Sequence, residues 1–284
     1  MKEKVGVIVC GNSGVDYITL DYPVDVFRSL LLIDKKEYED FVDIKAEDFY
    51  DIVVKNPNID LSTSQTSTGK MVEVYEKYKE EGFTDIIVVT IAAKLSGTYQ
   101  NAVLASDLVE GINVHVVDSK SVSEGEVHLV RNAIKMIREG VPSVEIAKRL
   151  NVLRDNITIY VLVDTLKYLV KNGRLSAVSG MIGTLLKIKP LLKIQPDGSL
   201  TAHEKIRTTS KARARLLEII SGEIVDRDVT VFIAYTNNKE DAEKFKADLL
   251  TTNPNLEVNI VPLTPVVGAH AGPGTLGIGI IENK

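Results

Sequence analysis

At 284 residues, with 44% apolar and 26% charged side chains, the chain has enough material for one large globular domain or two of ordinary size. A formal net charge of −5 argues against a broad nucleic-acid surface, and no apolar run reaches the ~18 residues that span a bilayer. The single cysteine excludes an internal disulfide framework, and Met1-Lys2-Glu3-Lys4 leads straight into a strand pattern without a secretory signal, so a cytoplasmic location is expected.

Residues 5–10 are apolar throughout and short, as a buried strand is. Gly11-Asn12-Ser13-Gly14 follows as a tight loop, at the sheet edge where ligands of α/β proteins sit. Cys10 has no basic neighbour and reads as a small core residue. Residues 29–34 predict a strand, 35–43 a charged turn, and 46–54 a short helix that stops before Pro57. Leu61 to Gly69 is a hydroxyl-rich run ahead of a helical pattern at 67–81, whose Met71, Val72, Val74, Tyr75 and Tyr78 form an apolar face. Leu95-Ser96-Gly97-Thr98 precedes a second helical pattern at 97–109. Ser and Thr in such places cap backbone N–H groups. Two converging helix N-termini also make an anion site, and both readings stand.

Residues 85–91 and 113–118 are further strands, uncharged along their apolar runs and separated by helical patterns. That alternation predicts a mainly parallel sheet in a three-layer α/β/α domain. Residues 124–139 and 143–155 read as amphipathic helices split by Gly140-Val141-Pro142, with His128 structural on the first. A domain boundary is expected near residue 155, giving domains 1–155 and 156–284. Beyond it come a strand at 157–164, a short helix at 165–171 closed by Asn172-Gly173, and paired strands at 187–194 and 199–204 turning at Pro196-Asp197-Gly198. Strands at 229–235, 256–261 and 276–282, with helices at 210–220 and 239–251, complete a second α/β domain with a six-stranded mixed sheet.

Several runs in this order carry a family resemblance. Ser62-Thr63-Ser64-Gln65-Thr66-Ser67, Leu95 to Ala102, Val117-Asp118-Ser119-Lys120, Asn172 to Ser176, Leu186 to Leu192 and His270-Ala271-Gly272-Pro273-Gly274 resemble the signature runs of the DegV family of bacterial fatty-acid-binding proteins, from about residue 60 onward. Many DegV-type proteins have Asp-Ser where this chain has Asn12-Ser13. The resemblance implies a DegV-like two-domain fold with a long-chain fatty acid between the domains, and a separate ATP-dependent fatty acid kinase subunit that phosphorylates the presented carboxylate. It aligns Thr63 and Ser96 with the hydroxyls that hold the carboxylate, and His270 with a histidine near the head group. Ser64, Gln65, Gly97 and Thr98 are supporting candidates, and Arg207 and Arg174 are candidate partner or phosphate contacts. Without the resemblance, His270 reads as a turn residue capping Gly272-Pro273-Gly274, and the two arginines as solvated surface.

A fatty acid needs a dry tunnel for its tail and donors for its carboxylate. Burying about fourteen methylenes contributes on the order of 11 kcal/mol before association costs, so the tail dominates affinity and the head group fixes orientation. Neutral hydroxyls suit that second task. Residues 178–192, with Val178, Met181, Ile182, Leu185 and Leu186, are the best apolar helix for the lining. Other chemistries lack support. Ser67-Thr68-Gly69-Lys70 has Met71 where a P-loop needs Ser or Thr. Four scattered histidines and one cysteine show no metal-ligand spacing, and no Gly-x-Ser-x-Gly elbow occurs. No catalytic residue, metal or cofactor is therefore expected beyond the bound lipid, and the chain reads as a lipid-binding protein rather than an enzyme. The alternative is a small-molecule phosphotransferase or hydrolase, because the DegV fold resembles part of the dihydroxyacetone kinases.

Overall fold

The structure is a computed structural model that describes residues 3–175 and 189–283. Its first sheet has four parallel strands in the order β2 (Asp25–Phe27), β1 (Val5–Cys10), β6 (Asp85–Thr90) and β7 (Asn113–Asp118). β1 and β6 are buried at every position, as central parallel strands covered on both faces must be. One face packs on α2 (Thr68–Glu80) and α3 (Thr98–Ser106) through Met71, Tyr75 and Ala102. The other packs on α4 (Glu124–Arg138) and α5 (Ser143–Leu153) through Val127, Val130, Ala133 and Leu150. This is the expected three-layer arrangement. Strand β2 is too short to carry a periodic signal.

Between β2 and α2 lies a sheet that the sequence reading did not foresee. β3 (Leu30–Ile33) pairs antiparallel with both β4 (Lys36–Glu39) and β5 (Leu61–Ser64). The 35–43 segment read as a charged turn is therefore a hairpin strand and its connections. The hydroxyl run begins as a strand instead of leading directly into a helix. Leu61 and Thr63 of β5 pair with the buried Ile33 and Leu31, while Ser62 is exposed and Ser64, at the strand end, is exposed where it borders the cavity. Helix α1 (Ala46–Lys55) closes this layer with Phe49, Tyr50 and Val53.

The second large sheet has six strands in the order β10 (Leu200–Ile206), β9 (Lys189–Ile194), β8 (Ile157–Leu162), β13 (Leu276–Glu282), β11 (Val229–Tyr235) and β12 (Glu257–Pro262). Only β11 and β12 run parallel; the other pairs are antiparallel, so the sheet is mixed. Period-2 alternation divides its faces. Tyr160, Leu162, Val231, Ile233 and Ile278 pack on α7 (Thr209–Glu223) and α8 (Lys239–Thr252). Ile159, Val161, Leu192, Ile194, Phe232 and Ala234 point to the opposite face, toward the first sheet's loops. On that face β13 offers Gly277 and Gly279, which pair with Ala234 and Phe232. The Phe232 ring fills the place beside Gly279, whereas Gly277 leaves a shallow trough that lines the cavity.

Two short helices complete the fold. α6 (Lys167–Lys171) follows β8, and α9 (Pro265–Ala271) follows β12. Thr264 caps α9, and Pro265 at its first turn loses no needed N–H. The sequence pattern predicts no helix at α9, because seven residues holding Pro265 and Gly268 carry a weak signal. The helix expected at 178–192 is a strand from Lys189 onward, since residues 189–192 belong to β9. Val178, Met181, Ile182, Leu185 and Leu186 lie outside the described residues.

A Cβ on Gly279 would enter the ring of Phe232, which is 1% exposed. Gly279→Ala should lower unfolding free energy by about 1–3 kcal/mol, because overpacking outweighs the ~0.5–1 kcal/mol that alanine gains in backbone entropy. Urea denaturation checks this; a midpoint equal to wild type contradicts the packing described.

Candidate functional site

A cavity of about 330 Å³ lies between the free face of the six-stranded sheet and the loops of the four-stranded one. That is at the lower end of the roughly 300–1,000 Å³ usual for small-molecule sites. Val161, Ile159, Ile194, Phe232 and Ala234 supply its sheet side, and Ile91, Leu95 and Val122 face them from the first unit. Its polar residues include Thr63, Ser64, Gln65, Ser96, Arg174 and His270. Six of the nine residues singled out by sequence thus line one cavity.

Thr63 reaches the site because β5 presents it inward, opposite Leu31. His270 reaches it from α9, a helix held in place by buried contacts. Tyr50 Oη donates to the Leu263 carbonyl at 3.0 Å, and its ring packs where a side chain on Gly268 would stand. Asn172 Nδ2 donates to the Ala269 carbonyl at 3.1 Å. His270 is therefore a helical residue and not the turn cap considered above. Thr63 Oγ1 and His270 Nε2 lie 2.8 Å apart, and Nδ1 is buried without a partner. With the proton on Nε2, the imidazole donates to Thr63, and the hydroxyl proton is free for a carboxylate oxygen.

Ser96 sits just ahead of α3. Its hydroxyl donates to Gln65 Oε1 at 3.3 Å, lies 2.8 Å from Thr98 Oγ1 and accepts from Thr98 N–H at 3.3 Å. A Cβ on Gly97 would stand 2.8 Å from the Gln65 amide, so glycine lets Gln65 cross there. Gly97 and Thr98 thus support the cavity wall without lining it. The segments ahead of α2 and α3 are adjacent, with Asn101 Nδ2 donating to the Thr66 carbonyl at 3.0 Å. Ser67 is an ordinary cap that accepts from Lys70 N–H, and Thr63 projects from a strand.

Arg174 is not an outlying basic point. Its Nε donates to the Leu95 carbonyl at 3.2 Å and its Nη1 to the Asn172 carbonyl at 2.6 Å, which fixes the guanidinium in the cavity wall. A lone arginine between Gly173 and Leu175 carries no sequence signal for this, beyond the resemblance. Arg207 is exposed, one residue past β10, and does not line the cavity.

Asn12 also lines the cavity, and its amide donates to Glu126 Oε1 at 2.5 Å. Glu126 is fully buried, and desolvation pushes its carboxyl well above the ordinary range, with Asn12 opposing the shift. An aspartate at position 12 would set a second carboxyl against it, which gives the Asn12-Ser13 departure a local reason.

His270 is lowered from its ordinary value to about 4, by burial first and by the Arg174 charge second. The imidazole is therefore neutral at pH 7. The unfolded chain binds more protons than the folded one between pH 6.5 and about 4. His270's contribution to stability is thus retained above pH 6.5 and lost as pH falls through that window. Ring resonances of His270 in lipid-free protein should stay those of neutral imidazole down to pH 5.5, with a midpoint about 4. A midpoint at the ordinary histidine value contradicts the burial described.

Comparison with known proteins agrees with this architecture. A family model described as "Uncharacterised protein, DegV family" matches residues 16–283, well ahead of the residue-60 start read from motifs. A DegV domain-containing protein of Clostridium acetobutylicum is 35% identical over 283 residues, 99% of each chain. Among solved structures, a fatty acid binding DegV family protein from Streptococcus agalactiae is 28% identical with a TM-score of 0.91, covering 99% of this chain and 100% of that one. DegV, a fatty acid binding protein from Bacillus subtilis, is 25% identical with a TM-score of 0.88 at the same coverage.

Proposed function

The chain belongs to the DegV family, and from that premise we propose that it carries a long-chain fatty acid in the cavity between its two α/β units, residues 1–155 and 156–284. The observation that carries the reading is the cavity's division into an apolar run and a polar end that gathers Thr63, Ser96, His270 and Arg174. The similar proteins of Streptococcus agalactiae and Bacillus subtilis, both described as fatty acid binding, support the same ligand class.

In this reading the carboxylate accepts from the Thr63 and Ser96 hydroxyls, and Gln65 and Thr98 orient Ser96. Each charge-assisted hydrogen bond adds roughly 1.5–3 kcal/mol. The Arg174 charge beside the site offsets part of the carboxylate's desolvation, a contribution that a hydroxyl-only site would lack. A bound carboxylate also raises the affinity of His270 for a proton. The tail lies along the sheet, over the trough left by Gly277, and supplies most of the affinity.

We further propose that the chain is a cytoplasmic presenting subunit and not itself an enzyme. A separate ATP-dependent kinase would phosphorylate the exposed carboxylate, with Arg207 meeting the partner or a phosphate. Arg207 is exposed and outside the cavity lining, which suits a residue that meets something beyond the ligand.

Two measurements test these statements. Protein purified from bacteria should show a fatty-acid mass by native mass spectrometry that organic extraction removes, and Thr63→Ala/Ser96→Ala should weaken palmitate binding about tenfold or more while the fold persists. No extractable mass, or unchanged affinity in the folded double variant, refutes the carrier or the head-group assignment respectively. Arg207→Ala should leave palmitate affinity unchanged and reduce acyl-phosphate formation by an added fatty acid kinase subunit. Equal rates with both proteins remove Arg207 from the partner contact.

A further inference from the structure

The apolar cavity shares a wall with a second one. This second cavity, of about 520 Å³, opens where the start of β8 meets the end of β9, and its lining includes Ile157, Lys120, Arg154, Lys193 and His203. Among the described residues, Ile194 is the one that lines both. It ends β9, is 8% exposed, and pairs across the hairpin with Leu200.

Ile194 stands at the end of the first cavity remote from His270. The turn after α9 sits by the far end of β8: Thr275 Oγ1 bonds the Ala271 carbonyl, and Leu276 pairs with Leu162. Ile194 lies one step beyond the Lys193–Tyr160 pair, level with Ile159. From Val163 to Ile159 the strand covers about 13 Å, at ~3.3 Å per residue.

The two sides of Ile194 differ in chemistry. On one side are Ile159, Leu200 and Phe232. On the other, Lys120, Arg154 and Lys193 line the cavity with Asp155, and Lys193 Nζ also lies 3.6 Å from the Glu223 carboxylate. Lys120 Nζ contacts Asp155 at 2.8 Å, and Lys193 Nζ donates to Tyr160 Oη at 2.7 Å. Arg154 Nη1 donates to the Asp118 carbonyl, while its buried Nε has no partner.

We propose that Ile194 is a specificity-determining residue: it closes the tail end of the acyl cavity against the cation-lined cavity, so that the protein accepts acids ending in a methyl group and rejects α,ω-dicarboxylic acids. The proposal rests on the fatty-acid reading above. A second carboxylate driven against Ile159, Ile194, Leu200 and Phe232 finds no donor and must be desolvated unpaired. With the Ile194 side chain cut back, the same carboxylate reaches Lys120 and Arg154, where charge-assisted hydrogen bonds receive it.

The test measures palmitate and eicosanedioate binding to wild type, Ile194→Ala, Ile194→Val and Ile194→Ala/Lys120→Gln. Wild type should bind palmitate and discriminate strongly against the diacid. Ile194→Ala should raise diacid affinity relative to palmitate about tenfold or more, the worth of one charge-assisted hydrogen bond. Ile194→Val, the milder change, should move the ratio the same way by less, and Lys120→Gln should remove most of the gain. His203 ring resonances should shift with the diacid, and not with palmitate, in Ile194→Ala. A ratio within about twofold of wild type in folded Ile194→Ala or, should that variant not fold, in Ile194→Val overturns the proposal. So does a gain that survives Lys120→Gln intact. Wild type that binds palmitate while these ratios fail leaves the carrier reading standing; wild type that binds no fatty acid overturns both.

Discussion

The hydrogen bond between Thr63 Oγ1 and His270 Nε2 joins residues 207 positions apart and sets the geometry of the polar end of the cavity. Thr63 belongs to a strand of the small antiparallel sheet, and His270 to the short helix that follows β12. Neither element is held by local propensity. β5 is four residues long and rich in hydroxyls, and α9 is too short to be stable alone. Their position comes from tertiary packing: Tyr50 against Gly268, Phe49 and Val53 beneath them, and Asn172 on the Ala269 carbonyl.

The electrostatics of this end follow from burial. The site combines a neutral imidazole and hydroxyls with one arginine, whose charge is held on the carbonyls of Leu95 and Asn172. The Arg174 charge and the burial of His270 both keep the imidazole neutral, so the resident positive charge stays on the guanidinium. An entering anion is met by donors that are already oriented, which limits the ordering cost of binding.

How much of this was legible in the sequence depended on how strongly burial marked each residue. β1, β11 and β13 match their expected bounds because every alternate position, or every position, is apolar. A mainly parallel first sheet and a six-strand mixed second one followed from such runs, although β2 of the first carried no signal. The small sheet did not, since Lys36–Glu39 is charged and Leu61–Ser64 has a single apolar residue. α9 escaped because Pro265 and Gly268 mimic a loop. At the cavity, hydroxyl runs marked Thr63 and Ser96, but only the family resemblance tied them to His270. Arg174 was visible merely as a basic residue, because its role depends on carbonyls at Leu95 and Asn172 that no local pattern announces.

The order of strands in the larger sheet has a consequence for biosynthesis. β13 lies between β8 and β11, so an inner strand is translated after the strands on either side of it. Until the ribosome has passed Glu282, β10-β9-β8 and β11-β12 have no shared partner, and the trough at Gly277 does not exist. The four-stranded sheet, whose strands are all translated earlier, has no such dependence. A nascent chain that stops short of β13 therefore has no continuous six-stranded face to form that wall of the cavity.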